Sequence, residues 1–149
     1  MTHDQFKRAE ECLYCYKYLT GRIARLEMEQ DDIMPPSPGS VLKMVGRPVA
    51  KAPGDPSQTE TWGILRATSR QAREITAKRQ LQDIVRQLKN DLPIRDSEFI
   101  RLKYDKELPA RSVMRELGIK KRAYHYLRER VLKRLWQRVS KIDVDIAVN

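Results

Sequence analysis

Residue types that suit contact with nucleic acid are concentrated in the last third of this chain of 149 residues. Lysine and arginine attract phosphate groups, and arginine can also pair bidentately with guanine. A dense set of both, with a histidine and a tyrosine among them, therefore indicates DNA as the partner. We predict that double-stranded DNA is contacted by Arg111, Arg115, Lys120, Lys121, Arg122, His125, Tyr126, Arg128 and Lys133.

Two helices are expected to position these side chains, because apolar residues recur every three or four positions on both sides of Gly118. The apolar face of the first helix is formed by Ala110, Val113, Met114 and Leu117. The second helix runs from about residue 121 to 138, and its inner stripe is formed by Tyr124, Leu127, Val131 and Leu135. Its outer face then carries Arg122, His125, Tyr126, Glu129 and Lys133.

The ends of these two helices also have recognisable residues. Gly118 stands where the chain leaves the first helix, and glycine adopts the left-handed conformation that such an exit needs. Pro109 and Lys120 precede the two helices, and neither side chain can accept a hydrogen bond from the first N–H groups. The second helix is therefore expected to begin uncapped, with a cation against its dipole. Because the start of the second helix approaches base edges in a helix-turn-helix, readout is expected from Lys121, Arg122, His125 and Tyr126.

The apolar frame of this segment resembles the fourth conserved region of bacterial sigma factors, which reads promoter elements in the major groove. The frame consists of Val113, Leu117, Gly118, Ile119, Tyr124, Leu127, Val131 and Leu135. The layout of the whole chain is similar to that of phage late-gene transcriptional regulators of the RinA and ArpU type. That likeness rests on the tyrosine-rich segment 13–19, the Pro-Pro-Ser-Pro sequence at 35–38, a middle helix and the segment 99–104. The resemblance implies a sequence-specific activator of late phage transcription that acts in the host cytoplasm.

Composition and charge agree with an anionic partner. The net charge is +10, and most of the excess lies after residue 107, whereas the first helix is slightly acidic. No stretch approaches the roughly 18 to 20 apolar residues that a membrane span requires, and the first residues lack the basic-then-apolar order of a signal peptide. We therefore expect a cytosolic protein without membrane contact.

The periodicity predicts an all-α fold in five segments. These are an N-terminal helix for oligomer or partner contact (1–33), a Pro/Gly-rich linker (34–60), a middle amphipathic helix (61–92), a helix-turn-helix domain (93–141) and a tail (142–149). The middle helix carries a row of cations that we interpret as a solvated face, namely Arg66, Arg70, Arg73, Lys78 and Arg79. Asp96 or Ser97 is expected to cap a short helix through Tyr104.

The tail has a different pattern from the rest of the chain. Residues 142–148 alternate apolar and polar or small side chains, which is typical of a strand. An isolated strand is not stable in water, so it would need a partner strand from another subunit or protein. A frayed terminus is the alternative.

Catalytic and metal chemistry find little support in the sequence. Cys12 and Cys15 form a lone Cys-x-x-Cys without a third cysteine, and His3 and His125 are the only imidazoles, so we expect that a metal site would require a second subunit. We interpret the cysteines as small apolar side chains in a helix interface, with metal shared across a dimer as the alternative. A glycine-rich phosphate loop and a Ser-His-Asp set are both missing. We therefore expect no enzymatic activity, no cofactor and no metal.

Three functional hypotheses follow. The first is a transcriptional activator that binds DNA as a homo-oligomer, a dimer or tetramer, and uses its N-terminal helix or tail for self-association or for contact with RNA polymerase. The second is a phage terminase small subunit, which also joins a helix-turn-helix to oligomerising helices; a closed ring of about eight or more subunits would favour it over a dimer or tetramer. The third is a helical partner protein that has no role on DNA.

Overall fold

The computed structural model describes residues 1–33 and 56–149, with side-chain positions for 1–32 and 69–149. Within these ranges the chain is helical and forms no strand, so the prediction of an all-α fold is confirmed. The elements are α1 (His3–Ile33), α2 (Pro56–Asp91), α3 (Ile94–Ile100), a π-helical turn (Arg101–Asp105), α4 (Ala110–Leu117), α5 (Lys121–Val139) and α6 (Val144–Val148). Most of the expected linker, residues 34–55, lies outside the described residues, and its last five positions belong to α2.

The chain divides into two compact units, one formed by residues 1–20 and 77–149 and the other by residues 21–76. In the second unit, Ile23, Leu26 and Ile75 are buried. The first unit contains the whole predicted DNA-binding segment together with the first twenty residues of the chain. Over those twenty residues, the apolar face of α1 thus packs within its own chain.

The core of the first unit is built from apolar residues that recur at helical spacing. On α1 the fully or nearly fully buried residues recur at helical intervals and include Ala9, Cys12, Leu13, Cys15 and Leu19. The stripe of α2 within this unit consists of Ala77, Leu81, Val85, Leu88 and Leu92. Such stripes bury apolar area against one another, which is the main favourable term in folding.

One expectation about α3 is wrong. The helix begins at Ile94, earlier than expected, with Pro93 at its N-cap and no side-chain cap. Asp96 therefore lies inside the first turn and is completely buried, and the Ser97 hydroxyl donates to the Lys89 carbonyl oxygen at 2.7 Å. The Pro93 carbonyl oxygen accepts the first helical hydrogen bond, from the Ser97 N–H at 3.0 Å, so both predicted caps lie inside the helix.

The strand expected in the tail is also wrong, because residues Val144–Val148 form α6. The Asp143 carboxylate accepts a hydrogen bond from the Ile146 N–H at 3.3 Å, which caps the helix. Val144 and Ala147, three positions apart, are its buried residues. A seven-residue alternation of apolar residues thus also contains the three-residue spacing of a helix, and the aspartate cap together with tertiary packing decides between the two.

A buried lysine holds the tail in place. Lys78, which we expected on a solvated face, is only 2% exposed, and its ammonium group donates to the carbonyl oxygens of Ile146 at 3.3 Å and Ala147 at 3.1 Å. Carbonyls in the last turn of a helix have no partner within the helix, so a cation there satisfies them. None of the described helices is both long enough and apolar enough to cross a membrane.

Candidate nucleic-acid interface

The turn between α4 and α5 has the geometry that the sequence predicts. Gly118 has φ 62° and ψ 37°, which is the left-handed conformation expected at this position. Its N–H donates to the Arg115 carbonyl oxygen at 3.2 Å, and the Ile119 N–H donates to the Met114 carbonyl oxygen at 3.0 Å. These two bonds satisfy carbonyls at the end of α4 and fix the direction in which α5 begins.

The inner side of the two helices is packed as expected. Val113 and the whole predicted stripe of α5 are buried, while Met114 and Leu117 are half-buried; Ala110, which was predicted on the same face, is exposed at the start of α4. The Phe99 ring meets the Tyr124 ring edge-on, with centroids 5.6 Å apart. Two further residues of α5, Leu132 and Val139, are fully buried, so the apolar stripe is wider than the sequence pattern indicated.

The exposed side of α4 and of the first turn of α5 carries five cations that we call the unpaired cation cluster. Its members are Arg111, Arg115, Lys120, Lys121 and Arg122. All five are exposed, and within the described ranges none of them forms an ion pair. The charge of this cluster is therefore free to act on a partner.

The start of α5 adds a second source of positive potential. Lys120 has an extended backbone, and no side chain caps the first N–H groups of the helix, as the sequence predicts. Uncapped N–H groups and the helix dipole together favour an anion such as phosphate. Lys120, Lys121 and Arg122 thus attract the same kind of group as the helix N-terminus at which they lie.

Arg128 is placed differently, on the side of α5 that faces α1. Its Nε donates to Glu10 Oε1 at 3.0 Å and its Nη2 to Glu10 Oε2 at 2.9 Å, a bidentate pair to which the Tyr104 hydroxyl adds a bond of 3.1 Å. Burial by itself raises the pKa of Glu10, but the hydrogen bonds and charge of Arg128 and the bond from Tyr104 leave that pKa below its ordinary value. The same hydrogen bonding raises the pKa of Arg128.

Three more cations of α5 are engaged in the same way. Arg130 donates to Asp96 at 2.6 Å, and Arg138 donates to Asp91 at 2.9 Å. Lys133 lies 3.2 Å from Glu129, which is one turn earlier on the same helix. We call Arg128, Arg130, Lys133 and Arg138 the paired cation row. Glu10, Asp91 and Asp96 were not predicted as ion-pair partners of these arginines. They lie 118, 47 and 34 positions away along the chain, so no local pattern signals them.

The two aromatic candidates lie on the turn after the unpaired cation cluster. His125 is exposed, packs edge-on against the Tyr124 ring at 5.5 Å and lines a cleft of about 350 Å³ with residues of α1 that include His3 and Lys7. Tyr126 is 66% exposed, which is unusual for so large an apolar ring. Both side chains are therefore accessible on the outer face of α5.

The cysteines of α1 lie in the interior, away from this surface. Cys12 and Cys15 are both buried, and the Cys15 Sγ donates to the Cys12 carbonyl oxygen at 3.4 Å. Burial raises the pKa of the Cys12 thiol to about 12, so it stays protonated near neutral pH. In the part of the chain that the structure describes, no three histidine, cysteine or acidic side chains converge as a metal site would need.

The interface thus joins an exposed helix, an uncapped helix start and five cations without acidic partners. Of the nine residues that the sequence nominates, seven are exposed and have no ion pair among the described residues, whereas Arg128 faces α1 and Lys133 lies 3.2 Å from Glu129. No protein-family model matches the chain, and comparisons with characterised proteins and with solved structures also give no match.

Proposed function

We propose that this protein binds double-stranded DNA sequence-specifically, with α5 in the major groove, and that it activates transcription. The observation that carries the proposal is the unpaired cation cluster at the uncapped start of an exposed helix. A helix of 19 residues is about 28 Å long, and the major groove is wide enough to admit it. The resemblance to phage late-gene regulators supports late phage promoters as the target, in the host cytoplasm.

Each residue of the interface has a distinct expected role. Arg122, in the first turn of α5, is the residue best suited to bidentate pairing with guanine. The other members of the cluster fit phosphate groups, which hold the helix in register without reading sequence. His125 and Tyr126 lie on the next turn and are suited to base edges. Arg128 is left out of the proposed interface, because contact with DNA would leave the Glu10 carboxylate without its partner.

One such module gives modest affinity, so we expect a dimer or tetramer on repeated half-sites. The mass of the DNA-free protein in solution, measured by light scattering, tests this. A closed ring of about eight or more subunits would instead favour a DNA-packaging role of the terminase small-subunit kind.

The DNA-binding proposal is tested by selection followed by titration. The full chain is first used to enrich duplexes from a random pool, and an enriched duplex and a scrambled one are then titrated at several salt concentrations. Four phosphate contacts would give a slope of log affinity against log salt of about −3.6. A pool without enrichment, or a slope near zero, would contradict the proposal.

Two variants separate readout from phosphate contact. Arg122→Ala is expected to remove most of the preference for the enriched duplex, because the guanine contact is lost. Lys133→Ala, the matched removal of one charge on the same face, is expected to weaken both duplexes slightly and equally. Equal losses on both duplexes for Arg122→Ala would refute its role in readout.

Activation is tested with the enriched sequence placed upstream of a reporter gene. Expression of the chain should raise reporter output, and the Arg122→Ala variant should not. Binding without any rise in output would leave the DNA-binding part of the proposal standing and contradict activation.

A further inference from the structure

Tyr126 and Arg130 lie one turn apart on α5 and contact each other. The guanidinium carbon of Arg130 lies 5.7 Å from the centroid of the Tyr126 ring, within the range of a cation–π interaction. Both residues line a shallow groove of about 220 Å³ on the outer face of α5, together with Glu129, Lys133 and Arg134. The exposed ring therefore has a neighbour that can fix its orientation.

Arg130 forms a hydrogen bond to a buried carboxylate. Asp96 is 0% exposed, and its Oδ1 accepts a hydrogen bond from Arg130 Nη2 at 2.6 Å. Among the described residues no donor forms a hydrogen bond to Asp96 Oδ2. The bond from Arg130 to Oδ1 is therefore the one that compensates the charge of this carboxylate. A buried charge without its partner is strongly unfavourable, which keeps Arg130 on Asp96 and makes it a poor phosphate contact.

We propose that Asp96 and Arg130 are positioning residues for Tyr126, whose ring they hold ready for apolar contact with a thymine methyl group in the major groove. This inference rests on the proposed function. Thymine presents its C5-methyl group in the major groove, and an apolar or aromatic side chain is the partner that recognises it. Because the ring is held before DNA binds, little side-chain freedom is lost on contact.

The test replaces thymidine by deoxyuridine in the enriched duplex, which removes only the methyl groups. The wild-type chain should bind the thymine duplex about fourfold more tightly than the deoxyuridine duplex, the factor expected for burying one methyl group. Tyr126→Ala should bind both duplexes equally, and Tyr126→Phe, which keeps the ring, should retain the preference. A wild-type chain that binds specifically but does not distinguish the two duplexes overturns the inference while leaving the proposed function intact.

Arg130→Lys separates positioning from charge. It keeps the positive charge but lacks the planar group that bonds Asp96 and covers the ring, so it should lose the thymine preference while binding scrambled DNA as tightly as wild type. The double variant Tyr126→Ala/Arg130→Lys should bind the thymine duplex as tightly as Tyr126→Ala alone, because Arg130 acts through the ring. The matched control is Arg134→Lys, one turn further along, which should keep the preference. Retention of the preference by Arg130→Lys, or additive losses in the double variant, would overturn the positioning role.

A measurement without DNA covers the case in which Arg130→Lys folds poorly. In the wild-type protein, the ring of Tyr126 should shift the proton resonances of the Arg130 side chain upfield. Asp96→Asn keeps the size of the side chain but removes the charge that anchors Arg130, so this shift should shrink and the thymine preference should fall with it. An unchanged shift in Asp96→Asn would show that Asp96 does not position Arg130, and would overturn that part of the inference.

Discussion

The unpaired cation cluster and the paired cation row use the same residue types, and they share α5, yet the structure treats them differently. In the cluster, the cations of α4 and of the first turn of α5 have no acidic partner among the described residues. In the row, from Arg128 to Arg138, each member meets a carboxylate. A count of positive charges therefore overstates the surface that is available to DNA, and the distribution of acids identifies the part that remains.

The largest expected effect distinguishes the two regions directly. Lys121→Ala/Arg122→Ala should weaken binding to the enriched duplex about 100-fold, because it removes one phosphate contact and one base contact. The free energy of unfolding should change by less than about 0.5 kcal/mol, since both side chains are exposed and unpaired. Fluorescence anisotropy and urea denaturation measure the two quantities.

The matched control for this variant is Arg128→Ala/Arg138→Ala, which removes the same charge from the paired cation row. It should weaken DNA binding less than about threefold, the size of a general loss of positive potential. If both double variants weakened binding equally, net charge alone would explain the affinity and the comparison would fail.

The next effect concerns stability. Arg128→Ala should lower the free energy of unfolding by about 2 kcal/mol, because it removes two charged hydrogen bonds and leaves Glu10 part-buried without its partner. Glu10→Gln should cost less, since the amide still accepts a bond from Arg128. A double-mutant cycle of the two positions in urea should show coupling, and purely additive losses would mean that the pair contributes nothing of its own.

A third prediction tests a buried cation that donates to backbone carbonyls. Lys78→Met keeps the buried stem but removes the bonds to the Ile146 and Ala147 carbonyls, so we expect a loss of about 1.5 kcal/mol and faster amide exchange in α6. DNA affinity should not change. Lys141→Met, at an exposed lysine close to α6, serves as the control, and equal effects of the two variants would argue against a specific role for Lys78.

The smallest effect is the pH dependence of the Glu10–Arg128 pair. The pKa of Glu10 in the folded protein lies below its ordinary value of 4.5. The stabilisation is therefore complete above that ordinary value and is lost as the pH falls through the lower folded value. Wild-type unfolding free energy should thus fall more steeply below pH 4.5 than that of Glu10→Gln, as urea titrations at each pH would measure. Parallel pH curves for the two proteins would contradict this assignment.

Local features of the candidate interface follow from the sequence because they depend on neighbours within one or two turns. The left-handed Gly118, the uncapped start at Lys120 and the buried stripe through Tyr124 and Val131 were all predicted and are all confirmed. Each depends on backbone geometry or on helical spacing, both of which act over a few residues. Exposure of the outer face of α5 follows from the same spacing.

Features that depend on distant residues were missed or wrong. Nothing near Arg128 indicates that Glu10 lies against it, and nothing near Asp96 indicates that it is a buried ion-pair partner of Arg130 instead of a helix cap. The strand prediction for the tail is wrong for a related reason. Seven residues of alternating pattern suit a strand, but Lys78, which lies 68 or more positions away, donates to the carbonyls of a helix there. Propensity over so short a segment is easily overridden by tertiary contact.

The sequence by itself determined that this protein is helical, where α4 and α5 begin and end, and which face of α5 is apolar, because periodicity and turn chemistry are encoded within a few residues. Only the tertiary structure decided which cations remain free. An ion pair needs two side chains within about 4 Å, and the chain brings Glu10, Asp91 and Asp96 to α5 from far along the sequence. Among the described residues, the first turn of α5 thus carries cations without acidic partners, while the fold supplies distant carboxylates to Arg128, Arg130 and Arg138 further along the helix.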